Sequence, residues 1–181
     1  MKKVLAVAVL AASAVGSAMA APLMGSVLNY QYYYPDSGTS YAGTPDVNSN
    51  FIVGPDAEFY TLTDAIGSMD VTADQVIVDF SHSGTFGPAT FNGWVLTDIF
   101  SNIDRFASVT IDAATNMVGL DASRLSFTDD TIALNWQGLA FDADTRVVLN
   151  VSTSPFPVPE PGSLPLLGAA LLGIAFIRRN A

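Results

Sequence analysis

Short runs in which apolar residues alternate with polar ones fill the middle of this 181-residue chain. Residues 75–80 (QVIVDF) and 131–136 (TIALNW) each place an apolar side chain at every second position. Residues 146–151 (RVVLNV) and 108–112 (SVTID) repeat the pattern. Successive side chains of a strand point to opposite faces, so this period of two gives each strand one apolar face. Such strands are typical of antiparallel sheets with one face in a core and the other in water.

Further strands are expected between these four, because five more segments have strand composition: residues 26–34, 58–62, 69–72, 91–96 and 124–128. Clusters of Gly, Pro, Asn, Asp and Ser separate the segments, and residues 97–106 are predicted to form a short helix or a turn. About nine short strands at this spacing predict an all-β fold, an antiparallel β-sandwich. The predicted core includes Val76, Val78, Phe80, Ile132, Leu134, Trp136, Val147 and Leu149, together with Trp94.

Two segments of the chain resemble each other. Residues 69–80 (MDVTADQVIVDF) align with residues 125–136 (LSFTDDTIALNW), and each contains a Thr-x-Asp turn between two alternating strands. An Asp side chain can bond nearby backbone donors, which suits such a turn. We therefore predict two similar hairpins, one in each half of the sandwich. They arose either by duplication or as two ordinary hairpins with similar demands.

The first 20 residues have the three parts of a secretory signal peptide in order: two lysines, an apolar stretch and a cleavage site. Ala18 and Ala20 supply the small side chains that signal peptidase requires three residues and one residue before the cut. The mature protein is therefore expected to begin at Ala21. Residues 21–156 are predicted to form the exported domain.

The other end of the chain is predicted to anchor it in a membrane. Residues 162–177 contain no charged residue and would make a helix about 24 Å long. Arg178 and Arg179 follow at once, and arginines beside a span stay on the cytoplasmic side. These features predict one C-terminal transmembrane helix in the inner membrane, with the domain on the periplasmic side.

Val158, Pro159, Glu160 and Pro161 come immediately before this span. Together with the apolar segment and the terminal arginine pair, they resemble the PEP-CTERM protein-sorting signal of Gram-negative bacteria, here over residues 157–181. The resemblance implies that exosortase reads the tail and cleaves near the Pro-Glu-Pro motif. The protein would then leave its transient inner-membrane anchor for the cell surface or the extracellular space. The resemblance is limited to the tail and implies nothing about the domain.

Composition excludes several kinds of chemistry. The chain has no cysteine and one histidine, so a disulfide, a thiolate zinc site and a cysteine nucleophile are all excluded. Between the terminal segments, three arginines face 16 acidic residues, and a surface so acidic repels nucleic acid. His82 lies in a Ser-His-Ser sequence without a recognisable nucleophile motif, and we interpret it as a strand-end residue. No enzymatic activity and no cofactor are predicted.

A cluster of tyrosines is the strongest candidate for a binding site. Tyr30, Tyr32 and Tyr34 fall on one face of the strand predicted over residues 26–34, while Tyr33 falls on the other and Tyr41 follows nearby. Exposed aromatic rings would stack on sugar rings. A strand that buries one aromatic face is the commoner arrangement, and it would explain the same tyrosines without a ligand.

Aspartates in the predicted loops supply the hard oxygen ligands that calcium prefers. They match no known calcium-loop pattern, and turn formation explains them more simply; they are Asp36, Asp46, Asp56, Asp121, Asp129, Asp130, Asp142 and Asp144.

The sequence as a whole leaves three candidate functions. The first is a non-catalytic envelope or extracellular-matrix protein, which meets signal peptidase, exosortase and the inner membrane on its way to extracellular polysaccharide. The second is a carbohydrate- or calcium-binding module, and the third is an uncharacterised hydrolase.

Overall fold

The computed structural model describes residues 23–42 and 48–155. These residues form eleven β-strands and two short 3-10 turns, Thr63–Ala65 and Ala122–Arg124. The strands are β1 (Val27–Tyr33), β2 (Asn48–Ile52), β3 (Gly67–Val71), β4 (Gln75–Phe80), β5 (Gly84–Thr85), β6 (Gly93–Thr97), β7 (Arg105–Ile111), β8 (Leu125–Phe127), β9 (Thr131–Asn135), β10 (Ala140–Phe141) and β11 (Arg146–Ser154).

The strands pair into three sheets, and every pairing is antiparallel. One sheet has five strands in the order β2-β1-β6-β9-β8, a second has four in the order β3-β4-β11-β7, and β5 pairs with β10. The two larger sheets contribute buried side chains to one hydrophobic core. The predicted all-β antiparallel fold is therefore confirmed for the described residues.

All nine side chains predicted to lie in the core are buried. Val78 lies opposite Val147 in one sheet, and Leu134 lies opposite Trp94 in the other. The rings of Phe80 and Trp136 are 5.7 Å apart, centre to centre, and so connect the two hairpins across the core. Alternation along each strand explains this core, because it places one complete apolar set on the inward face.

The strand count is higher than the predicted nine. Residues 58–62 do not form a strand; Phe59 makes only an isolated bridge with Met69. Three strands were missed: β2, β5 and β10. Residues 98–104 form a turn rather than a helix, because the Asp98 carboxylate accepts the amides of Asn102 and Ile103 at 3.2 and 2.9 Å.

The chain builds one arrangement twice. The first copy contains β1, the β3–β4 hairpin, β5 and β6; the second contains β7, the β8–β9 hairpin, β10 and β11. In each copy the first and last strands pair with each other, while the hairpin pairs with the last strand of the other copy. The β5 and β10 strands pair with each other. Among the described strands only β2 has no counterpart, so the two copies are interlocked.

Backbone hydrogen bonds outside the strands repeat in the same way. When residues 69–80 are aligned with 125–136, two pairs of bonds become equivalent. They are Phe80 N–H to Thr145 O (3.0 Å) with Trp136 N–H to Asn92 O (2.8 Å), and Val151 N–H to Asp74 O (2.7 Å) with Asp98 N–H to Asp130 O (2.9 Å). These equivalent hydrogen bonds join each hairpin to the other copy, and two unrelated hairpins with similar turns would have no reason to share them. The agreement favours duplication as the origin of the sequence similarity.

Candidate functional site

The three tyrosines of the predicted binding face lie at different depths. Tyr30 is completely buried, with its hydroxyl 2.9 Å from the Thr63 hydroxyl, and Tyr32 is buried with its hydroxyl donating to Asn92 Oδ1 at 2.8 Å. Tyr34 follows the end of β1 and is 36% exposed. The inward face of β1 is covered by the core, so an exposed platform of three tyrosines does not form, and Tyr30 and Tyr32 instead follow the interpretation in which the strand buries one aromatic face.

Tyr32 and Tyr34 instead line a pocket of about 270 Å³. The ring of Tyr41 stands 6.2 Å from that of Tyr34, nearly at right angles to it. Phe86 and Phe141 form the opposite, apolar part of the lining, with their ring centres 4.9 Å apart. Segments from both copies of the repeated arrangement therefore meet at this pocket.

Asp64 supplies the carboxylate of the pocket. Asp64 and Ala65 have positive φ angles of 56° and 57°, a left-handed conformation that costs roughly 1–2 kcal/mol per residue for L-amino acids. The Tyr41 hydroxyl donates to Asp64 Oδ2 at 2.7 Å, and this hydrogen bond is the main cause that raises the pKa of Tyr41. Strained backbone thus holds an acid against an aromatic hydroxyl at the pocket.

A buried polar network fixes the inner wall. Asn92 accepts from the Tyr32 hydroxyl, donates through Nδ2 to the Gly87 carbonyl at 3.1 Å, and donates its backbone N–H to Asn135 Oδ1 at 3.0 Å. Burial raises the pKa of Tyr32, so its phenol stays neutral. The side chain of Asn92 is already engaged, and its role is to hold the wall in place.

Several predicted calcium-ligand aspartates have turn-forming partners. Asp36 accepts from the Gly38 amide at 2.9 Å, Asp121 from the Ser123 amide at 2.8 Å, and Asp142 from the Asp144 amide at 3.1 Å. No group of three or more acidic or histidine side chains in the described residues is arranged to hold a metal ion. Asp46 lies outside those residues.

His82 is exposed at the end of β4, with its Nδ1 3.2 Å from the Ser81 hydroxyl. Ser81 also donates to the Ala65 carbonyl at 3.1 Å, and the imidazole ring contacts the ring of Phe141. Within the described residues, neither Ser81 nor His82 has a carboxylate partner, and neither lines the pocket.

Sequence reasoning did not find Asp64, Phe86, Asn92 or Phe141 as pocket residues. They are far apart in the chain, and none lies in a local motif. Only the strand pairing brings them together: β5 with β10 places Phe86 near Phe141. A pocket of this kind has no signature in a single sequence.

The processing residues predicted at the two ends lie outside the described residues: Ala18, Ala20, Ala21, Pro159, Glu160, Pro161, Arg178 and Arg179. The transmembrane helix predicted over residues 162–177 also lies outside them. In the part of the chain that the structure describes, no helix is long and apolar enough to cross a membrane.

The described part of the chain is an antiparallel β domain with a small aromatic pocket, and the C-terminal sequence indicates how the protein is processed. Residues 157–179 match the family model of the PEP-CTERM protein-sorting motif. The chain therefore carries a PEP-CTERM sorting signal, as its sequence predicted. The signal implies an exported protein, transiently anchored in a membrane, with exosortase as its processing partner. No curated protein and no solved structure matches the chain.

Proposed function

We propose that this chain is a non-catalytic protein of the cell envelope or extracellular matrix that exosortase processes after export. The PEP-CTERM motif over residues 157–179 carries the proposal. Signal peptidase removes residues 1–20, and residues 162–177 then hold the domain on the periplasmic side of the inner membrane. Exosortase cleaves near Pro159, Glu160 and Pro161, and the domain reaches the cell surface or the extracellular polymer.

The composition of the pocket supports a non-catalytic role. Among the described residues, its lining contains one carboxylate, that of Asp64, and no histidine, lysine or arginine. General acid–base hydrolysis uses a pair of titratable groups with different protonation states, and the other titratable groups in this described lining are tyrosine hydroxyls. Asp64 already accepts a hydrogen bond from one of them.

The test is to change Glu160→Ala in a tagged full-length chain, expressed in a host that has exosortase. Glu160 is the only charged residue of the Pro-Glu-Pro sequence, so the variant should still be exported but should keep its C-terminal segment. It should accumulate uncleaved in the inner-membrane fraction. Asp56→Ala removes one negative charge from an exposed position in the domain and serves as the matched control. If Glu160→Ala reaches the outside with the size and yield of the parent, the tail is a plain anchor and the sorting proposal is wrong.

Carbohydrate binding is the second candidate function, and the aromatic pocket favours it. Aromatic walls with a few polar groups are the usual composition of small-ligand sites. Neither calcium binding nor hydrolysis has a comparable observation in its favour among the described residues.

A further inference from the structure

We propose that the pocket between Tyr34, Tyr41 and Phe141 binds a terminal amino-sugar unit, with the protonated amine on Asp64 and the sugar ring against the tyrosines. The inference rests on the second candidate function above and extends it to a ligand class. It does not depend on how the protein is sorted, so the binding proposal and the sorting proposal can each be disproved without affecting the other.

The size of the pocket limits the ligand to one ring. A volume of about 270 Å³ is below the roughly 300–1,000 Å³ of sites for drug-sized ligands. Tyr34 and Tyr41 stand nearly perpendicular, so a ring that enters the pocket contacts one tyrosine face and one tyrosine edge. A single saturated sugar ring at the end of a polymer fits these walls.

The negative charge of the pocket and of the domain favours a sugar ring that carries a positively charged group. Among the described residues of the lining only Asp64 is charged; its Oδ2 accepts from the Tyr41 hydroxyl, while its Oδ1 accepts no hydrogen bond from the described residues. A carboxylate oxygen without a partner in an aromatic pocket is stabilised by an ammonium group, through both charge and hydrogen bonding. The surrounding domain is strongly acidic, which raises the local concentration of cations and repels sugars that carry carboxylate or sulfate.

Gly87 marks the space for the ligand. A Cβ at this position would have its nearest contacts with the Tyr34 hydroxyl at 3.7 Å and Asn92 Nδ2 at 3.9 Å, which are ordinary distances. A larger side chain at residue 87 would thus extend from the wall into the pocket without breaking a hydrogen bond. Gly87→Leu fills the site, whereas Asp64→Asn keeps an acceptor for Tyr41 and tolerates the positive φ but removes the charge.

Binding is measured by titration calorimetry on the processed protein purified from its exporting host. The probes are a glucosamine trimer, its N-acetylated form and choline. The parent should bind the glucosamine trimer at least about tenfold more tightly than either of the others, and more weakly as salt rises. Asp64→Asn should remove the preference for the free amine, Gly87→Leu should remove binding of the trimer, and Asp56→Asn should change neither.

Four results would overturn the proposal. Equal affinity for the free and the acetylated trimer would make the pocket a neutral-sugar site. Choline binding as tight as that of the glucosamine trimer would make it an ammonium site that does not recognise a sugar. Binding of the trimer that survives Gly87→Leu, or no binding of any probe to the parent, would show that the pocket does not bind amino sugars. Unfolding curves that match the parent establish that the Asp64→Asn and Gly87→Leu variants are folded.

Discussion

At the scale of single residues, Glu58 connects two parts of the backbone that no strand pairing joins. Its Oε1 accepts from the Gly54 amide at 2.9 Å and its Oε2 from the Val71 amide at 2.6 Å. The carboxylate thereby fastens the segment after β2 to the edge strand β3. Burial raises the pKa of Glu58 above its ordinary value of 4.5, and the two amide hydrogen bonds oppose that rise only in part.

Glu58→Gln should lower the free energy of unfolding by about 1–3 kcal/mol, because an amide side chain has one acceptor oxygen for two backbone donors. The sign of the pH dependence follows from the raised pKa. The contribution of Glu58 to stability is fully present below pH 4.5 and is lost as pH rises through the pKa of the folded state. The stability gap between the parent and Glu58→Gln should therefore narrow as pH rises from below 4.5 through the pKa of Glu58 in the folded state.

Urea unfolding at several pH values measures that gap, and Asp56→Asn is the control for loss of one charge on an exposed neighbour. A gap that widens with pH would mean that the amide hydrogen bonds outweigh desolvation, and the assigned direction would be wrong.

Residue-level prediction from the sequence succeeded for the core and left two interpretations of the tyrosines open, for one physical reason. Alternation states which side chains share a face, and it placed Val76 and Leu134 correctly. It does not state what covers that face. Tyr30 and Tyr32 share a face as predicted, but the second sheet covers it, so the exposure of these rings depended on long-range packing.

At the scale of elements, the two equivalent hairpins use threonine where aspartate was expected. The Thr72 hydroxyl accepts the Gln75 amide at 3.0 Å, and the Thr128 hydroxyl accepts the Thr131 amide at 3.1 Å. The Asp74 carboxylate instead lies 3.4 Å from the Thr72 hydroxyl. The turn was thus located correctly from the sequence, but the group that closes it was not.

Thr72→Val should destabilise the domain by about 1 kcal/mol, since it removes the acceptor and keeps the shape of the side chain. Thr128→Val should cost less, because Thr128 is exposed and water can replace the lost hydrogen bond. Thr→Ser at either position keeps the hydroxyl and is the matched control. Thermal unfolding of the four variants measures the order of their losses of stability. A loss of stability for Thr→Ser with none for Thr→Val would show that the methyl group, and not the hydroxyl, matters at these turns.

The missed elements have compositions that alternation cannot detect. β2 has the sequence NSNFI and lies at a sheet edge, where polar residues are common. Its pairing with β1 includes a hydrogen bond from Asn29 to Asn50 at 2.8 Å, which only the folded sheet creates. β5 and β10 have two residues each, too few to show any period.

At the scale of the whole molecule, the interlocked copies predict cooperative unfolding. Each hairpin pairs with the last strand of the other copy, so neither half of the chain can keep its sheet when the other unfolds. Tryptophan fluorescence reports both copies, because Trp94 is in the first and Trp136 in the second. Fluorescence and circular dichroism should therefore show one coincident denaturant transition. Two separate transitions would mean that the copies fold independently.

The last prediction concerns the tail, whose apolar segment is short for a membrane anchor. The proposed transmembrane segment, residues 162–177, has 16 residues against about 20 for a typical transmembrane helix, so as an anchor it would be marginal. Arg178 and Arg179 should compensate, since moving two arginines into the membrane is costly.

In a host without exosortase, the parent should remain in the inner-membrane fraction. Arg178→Ala with Arg179→Ala should release part of the protein to the periplasm over time, and the matched lysine pair should retain it. Fractionation after a pulse label measures the difference. Retention of the alanine pair at the level of the parent would show that the apolar segment anchors the chain without the arginines, and their role would then lie in recognition by exosortase.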